Sequence, residues 1–288
     1  MSDVPASPPE ARPGPGARLR ALATLVRWQN ALIAALGVVV GAIWASGAVS
    51  EATGWAALAA LGFTAFANAD NDAHDAEIDR VAHPDRPIPT GVLTRRAASI
   101  VAIAGAFVAI AASSFSGLPG LLNAAPLVLI AMAAYNRWLA RTGVPGNVTV
   151  AALASLPFAY GAASVGNPRA GIALAAVAAP LHLAREVAKD LDDAIGDAAH
   201  RTTLGTAAPR WLAPVAVLFA LAVFVYGAVR LSRAAPRLPL LLVPAFVLCA
   251  LAARRVVARR TGAPLLFKLA MIVSMAALLL ARRPLLFE

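Results

Sequence analysis

Asn68–Gly91 reads NADNDAHDAEIDRVAHPDRPIPTG. It carries Asp70, Asp72, Asp75, Glu77, Asp79 and Asp85, six of the fifteen acidic residues in a chain of 288. Apolar runs bound it on both sides, residues 54–71 before it and 96–116 after it. Runs of roughly 20 apolar residues are long enough to cross the ~30 Å hydrocarbon core of a bilayer as helices. The stretch is therefore a concentration of carboxylates between two membrane spans.

Composition supports this reading over the whole chain. Hydrophobic residues make up 60% and charged residues 14%, with a mean hydropathy of +0.72. A soluble domain carries roughly 25% charged residues. The short alternating segments of a membrane β-barrel are absent, so the fold class is all-α and polytopic. The net charge of +10 comes from basic residues spread among the loops, which is the pattern of membrane topology rather than nucleic-acid binding. The single cysteine, Cys249, lies in an apolar run and permits neither a disulfide framework nor a paired-cysteine metal site.

Nine transmembrane helices are expected, at 25–46, 54–71, 96–116, 119–138, 146–165, 169–189, 209–229, 237–257 and 263–282. They would surround a central cavity, with two pseudo-duplicated halves. Residues 1–17, rich in Pro, Gly and Ala, read as a disordered tail without the features of a signal peptide. Residues 18–288 form a single transmembrane domain. Pro and Gly mark the joins at Pro119–Gly120, Pro145–Gly146, Gly166–Pro168, Pro236, Pro239 and Gly262–Pro264. Gly37 and Gly41 have the spacing of close helix packing. With the N-terminus inside, 19 of the 25 Lys and Arg residues lie on the inner face. The other six are Arg169, Arg230, Arg233, Arg237, Arg282 and Arg283. This bias places the N-terminus and the acidic stretches in the cytoplasm and the protein in the cell membrane.

The second acidic stretch, Arg185–Thr206, reads REVAKDLDDAIGDAAHRTTLGT. Its Asp190, Asp193 and Asp197 repeat the spacing of Asp72, Asp75 and Asp79, offset by 118 residues. At 100° per residue each triplet falls within one narrow helical face. Asn68 joins that face in the first stretch and Glu186 in the second, whereas Asp70 and Glu77 fall away from it and are expected to serve the loop. The stretches end the second and sixth spans, so they reach the same membrane face. The repeat is the mark of an internal duplication.

Clustered carboxylates repel one another unless a cation lies between them. Mg²⁺ takes one or two carboxylates and fills its other positions with water and phosphate oxygens. Arg86, Arg141, Arg185, Lys189 and Arg201 are nearby cations suited to phosphate. A diphosphate at the mouth of an apolar helical cavity describes an isoprenyl diphosphate. A dry pocket would protect its allylic cation, and Tyr135, Tyr160, Phe66 and Phe158 are aromatic candidates to face it. His74, His83, His182 and His200 lack zinc-site spacing and read as loop or polar-face residues. A rival of another class is a transporter with a carboxylate ion relay. Soluble isoprenyl synthases, which also pair Asp-rich motifs, are excluded by the hydropathy.

These motifs resemble those of the UbiA superfamily of intramembrane prenyltransferases. Asn71-Asp72-x-x-Asp75-x-x-x-Asp79 is similar to its first aspartate-rich motif and RPIPTG (Arg86–Gly91) to its continuation. Asp193-x-x-x-Asp197 is similar to the second motif, and the resemblance runs from about Arg18 to the C-terminus. It implies Mg²⁺-dependent transfer of a prenyl group to a lipophilic acceptor, with no nucleic acid and no obligate protein partner. It also implies that Asn71, Asp72, Asp75, Asp193 and Asp197 hold the metal and that Asp79 and Asp190 support them. Asp72, Asp75, Asp193 and Asp197 become the catalytic candidates. Asn68, Arg86, Tyr135, Arg141, Arg185, Lys189 and Arg201 become the substrate-binding ones. The second stretch looks most like the geranylgeranylglycerol-phosphate geranylgeranyltransferase branch, which implies a C20 donor and geranylgeranylglyceryl phosphate as acceptor. Tyr135–Arg141 followed by Gly146–Asn147 is similar to that branch's Tyr…Lys…Gly-Asn segment, with Arg141 in the place of Lys. Chlorophyll synthases share the first motif, so an aromatic or chlorophyllide-type acceptor is the alternative.

Overall fold

The computed structural model describes residues 14–196 and 211–282, all helices and connecting turns. In chain order the helices are α1 (Pro15–Leu25), α2 (Trp28–Ser46), α3 (Glu51–His74), α4 (Ala76–Ala82), α5 (Arg95–Phe115) and α6 (Pro119–Ala134). A π-helical turn (Tyr135–Leu139) follows, then α7 (Val144–Ala163), α8 (Pro168–Gly196), α9 (Leu212–Ser232), α10 (Leu238–Leu241), α11 (Val243–Val257) and α12 (Ala263–Arg282). α1 begins inside the tail expected at 1–17, and the rest of that tail lies outside the described residues.

Six helices are long and apolar enough to cross a membrane, among the described residues: Trp28–Ser46, Arg95–Phe115, Pro119–Leu139, Pro168–Asp193, Leu212–Ser232 and Ala263–Arg282. The expected span 54–71 falls within α3 and 146–165 overlaps α7, which ends two residues earlier; both helices are long enough but diluted by Thr, Asn and Ser. The expected span 237–257 is divided, because the chain turns at Leu242 just before Pro244, leaving α10 with four residues and α11 with 15. The outward faces carry Ile103, Phe107, Leu127, Ile130, Phe219 and Leu240, all exposed, while alanines dominate the buried interior. Large apolar side chains outside and small ones between helices suit a lipid surround.

The turns follow the local chemistry. Ser50 caps α3 by accepting from the Thr53 backbone N–H at 3.2 Å, while Thr53 Oγ1 accepts from the Ser50 N–H at 3.1 Å. This reciprocal cap satisfies two orphan donors, and Thr53 Oγ1 also meets Ser164 Oγ of α7 at 2.7 Å. Thr94 caps α5 at 3.0 Å. Pro119 and Pro145 stand in the first turns of α6 and α7, where a missing N–H costs nothing.

Several helix crossings are close enough to require glycine, as at Gly171 of α8, where a Cβ would lie 2.7 Å from the Phe158 carbonyl oxygen of α7. A Cβ at Gly62 of α3 would lie 2.6 Å from the Gly105 carbonyl oxygen of α5, and one at Gly105 would lie 2.7 Å from the Phe66 nitrogen. A Cβ at Gly41 of α2 would collide with the backbone of Phe158 in α7, and one at Gly161 with the Val38 carbonyl. These contacts hold α3, which carries the first acidic stretch, on α5, and α2 on α7.

Candidate active site

The first acidic stretch is not one continuous helix. α3 ends at His74, and Asp75 (φ −86°, ψ 5°) stands between it and α4. The single face expected for Asp72, Asp75 and Asp79 is therefore broken at its middle member. Arg86, brought back by the turn after α4, reunites the outer two. Its Nη1 lies 2.6 Å from Asp79 Oδ2 and 3.4 Å from Asp72 Oδ1. Asp75 takes a different set of partners, accepting from Asn71 Nδ2 at 3.1 Å and Arg141 Nη2 at 2.5 Å. The duplication expected from the spacing is thus uneven in structure, since α8 runs unbroken from Pro168 to Gly196.

Arg27, which no spacing or motif marks out, completes this wall. It sits between α1 and α2 in the left-handed region at φ 49°, uncommon for a residue other than glycine. The bend directs its guanidinium to Asn68 Oδ1 at 2.7 Å and Asp72 Oδ1 at 3.1 Å. Asn68 answers by donating to the Val26 carbonyl at 3.2 Å. Burial pushes the Arg27 guanidinium below its ordinary value, and Asp72 draws it back. Two arginines thus hold Asp72, and that residue is not among those lining the cavity described below.

Asp70 is a correction to its expected role in a loop. It is buried and accepts from Asn136 Nδ2 at 2.9 Å and from both terminal nitrogens of Arg137, at 3.4 and 3.3 Å. This clamp fastens α3 to the π-helical turn. Single π-turns inside helices are frequent at functional sites, and here the turn precedes Arg141, the partner of Asp75.

α8 supplies the facing wall, with Arg185, Glu186, Lys189, Asp190 and Asp193 on the cavity. Asn147 of α7 donates to Asp190 Oδ2 at 2.8 Å. Arg185 is paired with the adjacent Glu186. Asp192 points elsewhere, accepting from the Gly262 N–H at 2.8 Å and so tying α8 to the turn before α12. Asp197, Arg201 and His200 lie outside the described residues.

Between these walls lies a cavity of about 750 Å³. Asn68, Asn71, Asp75, Asp79, Arg86, Tyr135, Arg141 and the five α8 residues line its polar end, and Phe63, Met132, Phe158, Tyr160, Phe224 and Met275 line its apolar part. Along α8 the lining runs from Leu174 to Asp193, roughly 28 Å at ~1.5 Å per residue. Of the aromatic candidates, Tyr135, Phe158 and Tyr160 line the cavity, while Phe66 packs among the apolar clusters. The Tyr160 hydroxyl is engaged by Ser113 and donates to the Leu121 carbonyl at 2.9 Å. His83 and His182 line the cavity, and His74 is held by the Asp70 carbonyl.

The donor set suits a hard cation of the Mg²⁺ type. Asp75, Asp79, Asn71, Asp190 and Asp193, all with oxygen-bearing side chains, line one cavity. Asp79 Oδ1 is buried without a hydrogen-bond partner among the described residues, an expensive state for a carboxylate oxygen. No group of three acidic, His or Cys side chains forms a ready-made cage among the described residues. Mg²⁺ does not need one, because phosphate oxygens and water complete its shell.

The architecture is that of a polytopic helical membrane protein whose cavity joins an acidic, arginine-lined end to an apolar bore. The chain belongs to the UbiA prenyltransferase family, whose model matches residues 31–278. It is 43% identical over 186 residues to a digeranylgeranylglyceryl phosphate synthase of Halobacterium salinarum, covering 62% of this chain and 66% of that protein, just under two thirds. Its fold matches a UbiA homologue from Aeropyrum pernix K1 with a TM-score of 0.74 at 18% identity, over 88% of this chain and 98% of that one. It also matches a UbiA homologue from Archaeoglobus fulgidus solved with GPP and Mg²⁺, at a TM-score of 0.61 and 15% identity, over 91% and 98% of the two chains.

Proposed function

We propose that this chain is a Mg²⁺-dependent prenyltransferase that moves a geranylgeranyl group from its diphosphate to geranylgeranylglyceryl phosphate, in ether-lipid synthesis. The observation that carries the proposal is one cavity whose acidic and cationic end continues into an apolar part, its lining running roughly 28 Å in all along α8. The relatives of this chain named as digeranylgeranylglyceryl phosphate synthases support the choice of acceptor, and the family match favours transfer over an ion relay. The proposal includes a domain over 18–288 with nine spans around a central cavity, the site at the cytoplasmic face and the protein in the cell membrane. The basic residues concentrated at that face support the orientation.

Asp75, Asp79, Asp190 and Asp193, with Asn71 and Asp197, would hold the metal. Bound Mg²⁺ neutralises charge on a departing diphosphate. Arg141, Lys189 and Arg201 neutralise phosphate oxygens, and Arg86 does so while it holds Asp79 and Asp72 in place. Asn68 and Asp72 act through Arg27 and Arg86, orienting guanidinium groups at the cavity mouth. Tyr135 offers its ring next to the acids, and the Phe and Met walls exclude water from the allylic cation. The C1–O bond to the diphosphate breaks, the acceptor hydroxyl oxygen bonds to C1 of the prenyl chain, and the hydroxyl proton is released with the diphosphate. Asp75→Ala or Asp193→Ala is expected to abolish labelled-lipid formation while the protein stays membrane-inserted. Wild-type rates from either variant would overturn this assignment.

A further inference from the structure

α12 carries no charge apart from Lys268, five residues in from its start at Ala263, and Arg282 at its far end. Lys268 lines the cavity, and its Nζ donates to Asn30 Oδ1 of α2 at 2.9 Å. Arg185 of α8 lines the same cavity, on a helix that packs against α12. Among the described residues Lys268 has no carboxylate in an ion pair, whereas Arg27, Arg86, Arg141 and Arg185 are bound to Asp72, Asp79, Asp75 and Glu186. An ionisable residue inside a membrane span is costly and marks function. Two cations brought together on separate helices repel, and an anion between them removes that cost.

We propose that Lys268, Asn30 and Arg185 form a second anion subsite, which takes the phosphate monoester of the lipid acceptor. This rests on the prenyl-transfer reading above and adds where the acceptor's head binds. The subsite belongs to the wall made by α2, α8 and α12, which pack on one another. Of the arginines beside the first acidic stretch, Arg86 comes from the loop after α4, Arg141 from the segment after the π-helical turn, and Arg27 from the bend before α2, where Asn68 and Asp72 hold it. A donor diphosphate and an acceptor phosphate thus have separate anchors in one cavity. Asn30 lies in the first turn of α2, near the end of a span, where a membrane lipid carries its phosphate while its chain enters the bilayer. The lysine uses one of its three N–H bonds on Asn30, leaving two for phosphate oxygens.

The test compares wild type with Lys268→Met and Lys268→Arg, as full-length chains, on geranylgeranylglyceryl phosphate and on phosphate-free geranylgeranylglycerol. Wild type is expected to prefer the phosphate lipid. Lys268→Met should lose that preference through a KM about tenfold higher or more, with the KM for the prenyl diphosphate unchanged, and Lys268→Arg should restore most of it. Equal losses on both acceptors, a raised KM for the diphosphate, or unchanged preference would overturn the proposal. Equilibrium binding of the labelled phosphate lipid, without diphosphate or Mg²⁺ and competed by inorganic phosphate or pyrophosphate, separates the two levels of inference. Weaker lipid binding by Lys268→Met than by wild type supports the subsite even if no transfer is seen, a result that would sink only the prenyl-transfer reading. Displacement by pyrophosphate in preference to the lipid would assign the cations to the donor instead.

Discussion

At the scale of single residues, Asp70, Asp72, Asp75 and Asp79 of the first acidic stretch are each answered by an arginine. Arg86 bridges Asp79, which is almost fully buried, and Asp72. Removing one member of a buried pair leaves the other charge uncompensated, at a cost of about 3 kcal/mol or more. Arg86→Met is therefore expected to lower the thermal unfolding temperature in detergent as well as activity, and an unchanged temperature would count against the bridge. The aspartates themselves were legible in the sequence because two triplets with the same spacing stand out in a chain so poor in acids. Arg27 was not legible, since no periodicity predicts that a basic residue will adopt a left-handed bend and reach Asn68. Lys268 was equally hidden, one cation among many until the fold turned it toward Asn30.

At the scale of elements, glycine-mediated crossings hold the helices that present the site. Gly161→Leu would drive a side chain into the Val38 carbonyl, and overpacking of this kind costs about 1–3 kcal/mol even where neighbours can shift. Here the neighbour is backbone, so the variant is expected to fold poorly, read as loss of the monodisperse detergent-solubilised protein. A monodisperse and fully active Gly161→Leu would contradict the close α2–α7 approach. The π-helical turn gives a second prediction at this scale. Asp70→Ala removes the acceptor for Asn136 and Arg137 and should cut turnover while leaving the metal-candidate aspartates in place; unchanged turnover would argue that the turn needs no anchor. The sequence showed where helices join, because Pro and Gly mark those points. It did not show the break at Asp75, which falls in a stretch free of both. Nor did it show the division at Leu242, where an apolar run long enough for a span contains a proline the pattern treated as internal.

At the scale of the whole molecule, hydropathy and charge asymmetry made the membrane architecture readable before any coordinates, since both are sums over many residues. The cavity was readable only in outline, because its depth depends on which faces of several helices turn inward. The orientation predicts that a cysteine placed at Ala82, after replacing Cys249, is labelled by an impermeant reagent only from the cytoplasmic side in sealed inverted vesicles. Labelling from the opposite side would invert the topology. The central claim is chemical, and the most direct test is product formation. Purified protein is incubated with Mg²⁺, labelled geranylgeranyl diphosphate and a panel of geranylgeranylglyceryl phosphate, 4-hydroxybenzoate, homogentisate and a chlorophyllide, and the lipids are identified by mass spectrometry. The account predicts digeranylgeranylglyceryl phosphate as the labelled product, lost when a chelator removes Mg²⁺; transfer only to an aromatic or chlorophyllide acceptor, or none at all, would contradict it.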